Sequence, residues 1–543
     1  MVNLFSTLPL LSLFSLTLAL ALSHASTVSQ GETNPVPSPL RLRALSQASL
    51  SQEDSLRSHL QKRQDQDQYQ SIANEDETDP VKAATDVQNL EGIPGVTDGS
   101  TRTDLQITKG EGNTAQLEKH STVPWVASPD TGGDPTYGWT ALPEMEGFQL
   151  NRTWEVQQGM IMPFYITDNY RPGQDNSAIK RAIISFPGKP RDSWKYGNLF
   201  RNALAVINAN ETYGISSNQV LVISPAWMNH NDSAAGAVRD GELYWHGSQW
   251  MKGGNSRNPG LTDSISTFSV LDNFTDWLFL SGEFPNLNQV VIAGHSMGGQ
   301  ATQRYALIKK QKSYDPNMKY WIGNPGSFAW LTEDRPYPNA TCSEPDDWHY
   351  GIGNYSSVVK YARNDIKAGK QEVIDRYRSR KVHYAFGLLD NGKGDTHCQA
   401  VMQGGNHLDR GSRFIMMLGG MDGGFPIGTQ TVDFIPGVSH QDYPMMCADE
   451  SLEKLFLLDF NTKFPSLTDV SNPGDTIKPK KKKLPGGKKT FDTPEHERVA
   501  YSLLGGSLLL VAVFFTALPF LFSPNFDRFE THSWETESKR KLL

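Results

Sequence analysis

The hydrophobic and polar positions divide the chain into regions of different texture. Two apolar runs without a charge stand near the ends, at 4–22 and 499–522. Residues 26 to about 140 show no apolar period: QKRQDQDQYQ and NEDETDP are typical of the stretch. Such a segment cannot bury enough surface to offset its ordering entropy, so 26–140 is expected to be disordered. From 141 to 470 short apolar runs alternate with longer ones. RAIISF (181–186), QVLVISP (219–225), QVVIAG (289–294), KYWIGNP (319–325), KVHYAFG (381–387) and QTVDFIPG (430–437) read as buried strands. The stretches 266–281, 296–310 and 357–379 read as helices. This alternation predicts an α/β domain, with a mostly parallel central sheet and helices on both faces.

Composition narrows the class. The 543 residues carry 51 basic and 59 acidic side chains, a formal net charge of −8, which gives no footprint for nucleic acid. Three cysteines are too few for a disulfide scaffold or a Cys-ligated zinc site. The first apolar run ends at Ser23-His24-Ala25, so 1–25 is expected to be a cleaved signal peptide. The second, 24 residues long, is enough to cross about 30 Å of hydrocarbon as a helix. The polar tail 523–543 follows it, which gives type I topology with the bulk of the chain luminal or extracellular. The linker 471–498 carries Lys478, Lys480, Lys481, Lys482, Lys483, Lys488 and Lys489 on the luminal side, against the positive-inside rule. A large translocated domain largely escapes that rule, so type I topology remains the expectation. Lys539 and Lys541, near the C-terminus, resemble a dilysine retrieval signal read by coat protein, which opens an endoplasmic-reticulum location. Lys62-Arg63 is either a dibasic processing site freeing a pro-segment or an ordinary pair of charges. Glycosylation sequons stand at Asn151, Asn210, Asn231, Asn273, Asn339 and Asn354. In an oxidising lumen Cys342 and Cys398 are the expected disulfide, since both fall in loops after strands, and Cys447 is left as a buried thiol.

The chemistry concentrates at VVIAGHSMGGQATQRYAL, a strand, then Gly294-His295-Ser296-Met297-Gly298-Gly299, then a helix. A bare G-x-S-x-G is short enough to arise by chance. The buried strand before it and the helix after it make it a nucleophile elbow, with Ser296 at the carboxyl end of the sheet and at a helix N-terminus. No H-E-x-x-H, phosphate-binding or dinucleotide motif occurs, and no metal or cofactor is expected. GELYWHGSQWMKGG offers Trp245 and Trp250 either to a substrate pocket or to packing.

These runs resemble the α/β-hydrolase superfamily of lipase and esterase type. In detail ISFPGKPRDSW, GHSMGG, WIGNPGSFAWL, CQAVMQGGNHLDRG and FIPGVSH resemble large secreted hydrolases of fungi, over about residues 145–465. The resemblance implies a Ser-acid-His order. It puts the base at His440, in the loop after QTVDFI, with His397 and His407 as rivals; His349, His383 and His496 also follow Ser296. It puts the acid at Asp390, in G-x-x-D after KVHYAFG, with Asp395 in the same loop as the alternative and Asp334 as an outsider. The oxyanion hole is expected from the backbone amide of Met297 and that of Gly188 or Lys189, in the loop after RAIISF. The function implied is a membrane-anchored serine hydrolase acting on an ester-type small molecule or lipid. A membrane-lipid deacylase and a catalytically inactive binding ectodomain are the alternatives.

Overall fold

The computed structural model describes residues 66–90, 115–258 and 264–462. The segments expected as signal peptide (1–25), dibasic pair (62–63), linker (471–498), membrane span (499–522) and tail (523–543) lie outside the described residues, as does His496. Among the described residues no helix is long and apolar enough to cross a membrane.

Eight strands form the central sheet: β1 (Phe148–Asn151), β2 (Phe164–Thr167), β3 (Arg181–Phe186), β4 (Val220–Pro225), β5 (Gln289–His295), β6 (Met318–Gly323), β7 (Lys381–Gly387) and β8 (Gln430–Ile435). Their order across the sheet is β8-β7-β6-β5-β3-β4-β2-β1. β3 to β8 pair in parallel, and β2 meets β4 and β1 antiparallel. The parallel strands are almost wholly apolar because both faces are covered. Alternate side chains go to opposite sides: Ala182, Ile184, Val290 and Ile292 join one apolar core, while Ile183, Val291 and Ala293 join the other. Each fully buried aliphatic side chain in these layers contributes about 1.5–3 kcal/mol of hydrophobic stabilisation.

Six helices pack around the sheet: α1 (Pro80–Val87), α2 (Ser193–Ala209), α3 (Thr267–Leu280), α4 (Met297–Ile308), α5 (Lys370–Arg378) and α6 (His407–Gly420). α2 packs in the second core through Leu199, Phe200, Ala203 and Ile207. The other five contribute to the first. The single helix expected over 357–379 is instead two, Arg363–Ala368 and α5, interrupted at Gly369, whose extended backbone caps the second.

The expectation of disorder from 26 to 140 is corrected for 66–90 and 115–140. A helical stretch over 66–75 and α1 pack on the body through Tyr69, Ile72, Ala83, Ala84, Val87 and Leu90, all buried. Asp79 caps α1 by accepting from the Lys82 amide. Asp76 accepts a hydrogen bond from the Phe434 amide at 2.6 Å, occupying a donor of edge strand β8. The buried positions recur at helical spacing, but several are alanines that bury little area, so the apolar pattern is faint. Residues 115–140 are held through Val126, which exchanges hydrogen bonds with Asn202 and accepts from Asn198 on α2.

The chain leaves β3 toward β4 on one side and β5 toward β6 on the other. β3 and β5 are neighbours, so a crevice opens between them at their carboxyl ends, where open α/β sheets bind ligands.

Candidate active site

Ser296 stands at that crevice. β5 runs into it and α4 leaves from it, and its backbone has φ 58° and ψ −123°. Positive φ in a serine costs on the order of 1–3 kcal/mol and persists only where the surroundings enforce it. Here the Ser296 N–H donates to Gly323 O at 2.9 Å, and its carbonyl receives the Gln300 amide at 3.1 Å. A Cβ on Gly294 would overlap the Gly298 backbone, and one on Gly298 would overlap the carbonyls of Phe186 and Pro187. The elbow is thus pressed against the loop that follows β3. Met297 opens α4, so its N–H has no carbonyl one turn earlier in the helix to bond.

His440 Nε2 lies 2.9 Å from Ser296 Oγ, and His440 Nδ1 lies 2.7 Å from Asp390 Oδ2. The two loops that carry them are joined. Leu389 N donates to Val438 O at 2.9 Å, and Ser439 Oγ donates to Leu389 O at 3.0 Å. Asn324, just past β6, clamps both: its Nδ2 donates to Ser439 O and its Oδ1 accepts from Gly387 N, each at 2.9 Å. Asp390 is fully buried, whereas the His440 side chain is 20% exposed and reachable from solvent.

Two further histidines flank His440. His407, at the start of α6, stacks on it with ring centroids 4.2 Å apart, and its Nδ1 is 3.1 Å from the second Asp390 oxygen. His295 lies with its ring 4.8 Å from that of His440. Burial holds both flanking imidazoles below their ordinary values, and thus neutral. Burial pulls His440 down as well, but the charge and hydrogen bond of Asp390 outweigh it, and the net shift is upward. Burial would raise Asp390, yet His407 and His440 hold it well below the usual carboxylate range. The group therefore has one ionised acid and one imidazole poised to take a proton. The same Asp390, His407 and His440 bring three ligand-type atoms within 4.8 Å, but these are the atoms already engaged with one another.

The remaining candidates fall elsewhere. Asp395 accepts from Ser327 Oγ at 3.1 Å and Tyr350 OH at 2.9 Å and pairs with His397 Nδ1 at 2.6 Å, a cluster separate from His440. Burial raises Asp395, but His397 dominates and takes it down to about 2. His383 packs in β7 with Nδ1 2.9 Å from Thr431 Oγ1, and His349 is buried. Trp245 and Trp250 are buried, in ring contact with Trp227 and Phe186 respectively. The Asp334 carbonyl accepts from the Arg335 guanidinium in the loop after β6. Gly188 and Lys189 lie in the loop against the elbow, with the Tyr196 hydroxyl over Gly188. Cys342 and Cys398 are joined, with Cα atoms 5.7 Å apart. Cys447 is a buried thiol, pushed by burial up to about 11. Of the sequon asparagines, Asn210, Asn339 and Asn354 are exposed, and Asn151, Asn231 and Asn273 are half-buried.

No family model matches the chain, and no curated protein matches it. Solved structures give distant likenesses. The poly(3-hydroxybutyrate) depolymerase LpqC from Bordetella parapertussis is 14% identical with a TM-score of 0.38, over 60% of this chain and 93% of that one. Poly(aspartic acid) hydrolase-1 from Sphingomonas sp. KT-1 is 15% identical with a TM-score of 0.36, over 57% and 97%. The siderophore hydrolase EstB from Aspergillus nidulans is 12% identical with a TM-score of 0.32, over 60% and 99%. Likenesses this distant carry no weight for activity, which rests on the geometry of the site.

Proposed function

We propose that the chain is a serine hydrolase of the α/β-hydrolase type that cleaves ester-type acyl bonds. The observation that carries this reading is the hydrogen-bonded chain from Ser296 Oγ through His440 to buried Asp390, at 2.9 and 2.7 Å, on a strained strand-to-helix turn. Ser296 Oγ attacks the acyl carbonyl while its proton passes to His440 Nε2. Asp390 fixes the tautomer with the proton on Nδ1 and stabilises the imidazolium that forms. The amide of Met297 and that of Gly188 or Lys189 receive the negative charge on the carbonyl oxygen. His440 returns the proton to the leaving alkoxide, and water then repeats the sequence on the acyl-enzyme. A fluorophosphonate probe should label the purified protein, and Ser296→Ala should abolish labelling and ester hydrolysis while leaving the melting temperature near wild type. Wild-type turnover in Ser296→Ala would overturn the reading.

The same reading sets the hydrolase domain in the lumen of the secretory pathway, anchored by 499–522, with Lys539 and Lys541 offered to coat protein on the cytosolic side. The Cys342–Cys398 bond, which persists in oxidising compartments, and the exposed sequons at Asn210, Asn339 and Asn354 support it. Endoglycosidase treatment should lower the apparent mass, and a C-terminal epitope should be open to protease in sealed microsomes. A protected epitope would reverse the topology.

A further inference from the structure

The loop after β3 has a device of its own. Within Pro187-Gly188-Lys189-Pro190-Arg191 the chain turns back, with Arg191 N donating to Gly188 O at 3.1 Å. Arg191 takes φ 66°, a left-handed conformation that no local glycine excuses. Its guanidinium holds Asp232 in two bonds, Nε to Oδ2 at 2.8 Å and Nη2 to Oδ1 at 3.0 Å, with side-chain exposures of only 7% and 0%. Such a bidentate, buried pair is strong and specific in orientation.

Asp232 lies beyond β4, in the short helix His230–Ala235, and it accepts from more than Arg191. The Asn229 amide donates to it at 2.7 Å and the Trp139 amide at 2.9 Å. Trp139 in turn donates its indole N–H to Pro190 O at 2.7 Å, and Arg191 Nη2 also donates to Pro135 O at 3.0 Å. One buried carboxylate therefore ties together the hairpin of 133–139, the turn after β4 and the loop after β3. None of these contacts touches Ser296, His440 or Asp390.

We infer that the Arg191–Asp232 pair is a positioning device that fixes the oxyanion loop, holding the Gly188–Lys189 backbone against the elbow through the turn at Arg191. The inference rests on the proposal that this loop supplies an oxyanion amide. A loop free to relax from the left-handed Arg191 would carry that amide away from the developing charge. Binding of the ground-state ester, whose carbonyl needs the amide far less, would change little.

Asp232→Asn, Asp232→Ala and Arg191→Lys test it, with rates normalised to active sites titrated by fluorophosphonate burst. Losing an oxyanion donor costs roughly 10²–10³ in kcat. Asp232→Ala should lower kcat per titrated site by about 10²-fold with KM within about threefold. The inhibition constant of a trifluoromethyl ketone, which presents an oxyanion once bound to serine, should rise by a similar factor. Asp232→Asn and Arg191→Lys, which keep the volume and part of the bonding, should fall between and follow the same line of kcat against inhibitor affinity. A smaller titratable fraction with unchanged kcat per site would reduce the pair to a folding role and overturn the inference. So would a fall in kcat with unchanged ketone affinity. If wild type fails to titrate at all, it is the serine-hydrolase reading that falls.

Discussion

Asp390→Asn removes one charge and almost no volume, so its cost reads the electrostatics of the site. A unit charge pair at about 4 Å and an effective dielectric near 20 is worth about 4 kcal/mol. Losing that support when His440 becomes an imidazolium slows the reaction by roughly 10³-fold. A second cost is tautomeric. An amide NH₂ facing His440 Nδ1 would move the ring proton to Nε2, where the ring no longer accepts from Ser296; this is what brings the loss to about 10⁴ in the serine-protease template. His407 relieves that second cost. Its Nδ1 is 3.1 Å from the other carboxylate oxygen, so the new NH₂ can face His407 and leave its oxygen to His440. The expected loss in kcat/KM is therefore about 10³-fold, deepening toward about 10⁴ when His407→Phe removes the alternative partner. Asp395→Asn, whose carboxylate serves His397, Ser327 and Tyr350, should cost less than about tenfold. Initial rates on p-nitrophenyl acetate, with folding checked by thermal melts, decide the matter. A loss under tenfold in Asp390→Asn, or a larger loss in Asp395→Asn, refutes the reasoning.

Further outcomes follow from the same structure. His440 is held above the ordinary imidazole value near 6.5, so its base form is lost as pH falls through a midpoint above that figure. A pH–rate profile across roughly pH 5 to 9 should place the acid limb there, and Asp390→Asn should move it down. Burial pushes Asp76 and Asp433 up to about 8, among Glu77, Glu450, Glu453 and Lys454. Both carboxyls keep their protons in the fold while the unfolded chain ionises near pH 4, so stability is lost as pH rises from about 4 to about 8. Asp76→Asn, whose amide oxygen can still accept from Phe434, should raise the melting temperature above pH 8 and leave it nearly unchanged at about pH 4. The Cys342–Cys398 bond closes a loop with a sequence separation of 56. Replacing both cysteines by serine should lower the unfolding free energy in urea by about 2–4 kcal/mol.

The parallel strands were legible because each is an unbroken apolar run, and the elbow because glycine is needed on both sides of Ser296. β1 and β2 carry no such signal: Phe148–Asn151 and Phe164–Thr167 are four residues each, antiparallel, and one is only partly buried. α2 was hidden for another reason. Its buried face includes Asn198 and Asn202, whose amides serve Val126 in a stretch that reads as disordered. Asp390 and His440 were expected only through the resemblance, with Asp395, His397 and His407 as rivals, and the contact of His407 with Asp390 and His440 was not legible at all, because nothing in the sequence tells which of several histidines sits beside the acid. Arg191 and Asp232 are 41 residues apart and match no motif. Their pairing is a property of the folded crevice alone.

The hydrogen bond from Phe434 to Asp76 spans 358 residues of sequence. In biosynthesis that separation becomes a waiting time. At about 5–20 residues per second, the helices of 66–87 are made roughly 20–70 s before the strand that carries Phe434. Over that interval Tyr69, Ile72 and Val87 have no edge strand or α6 to cover them, and their apolar surface stays exposed. Their cover comes with α6 and with β8, whose Phe434 amide donates to Asp76. A chain stopped short of α6 would therefore keep its amino-terminal helices without their partner, however well its first seven strands had formed.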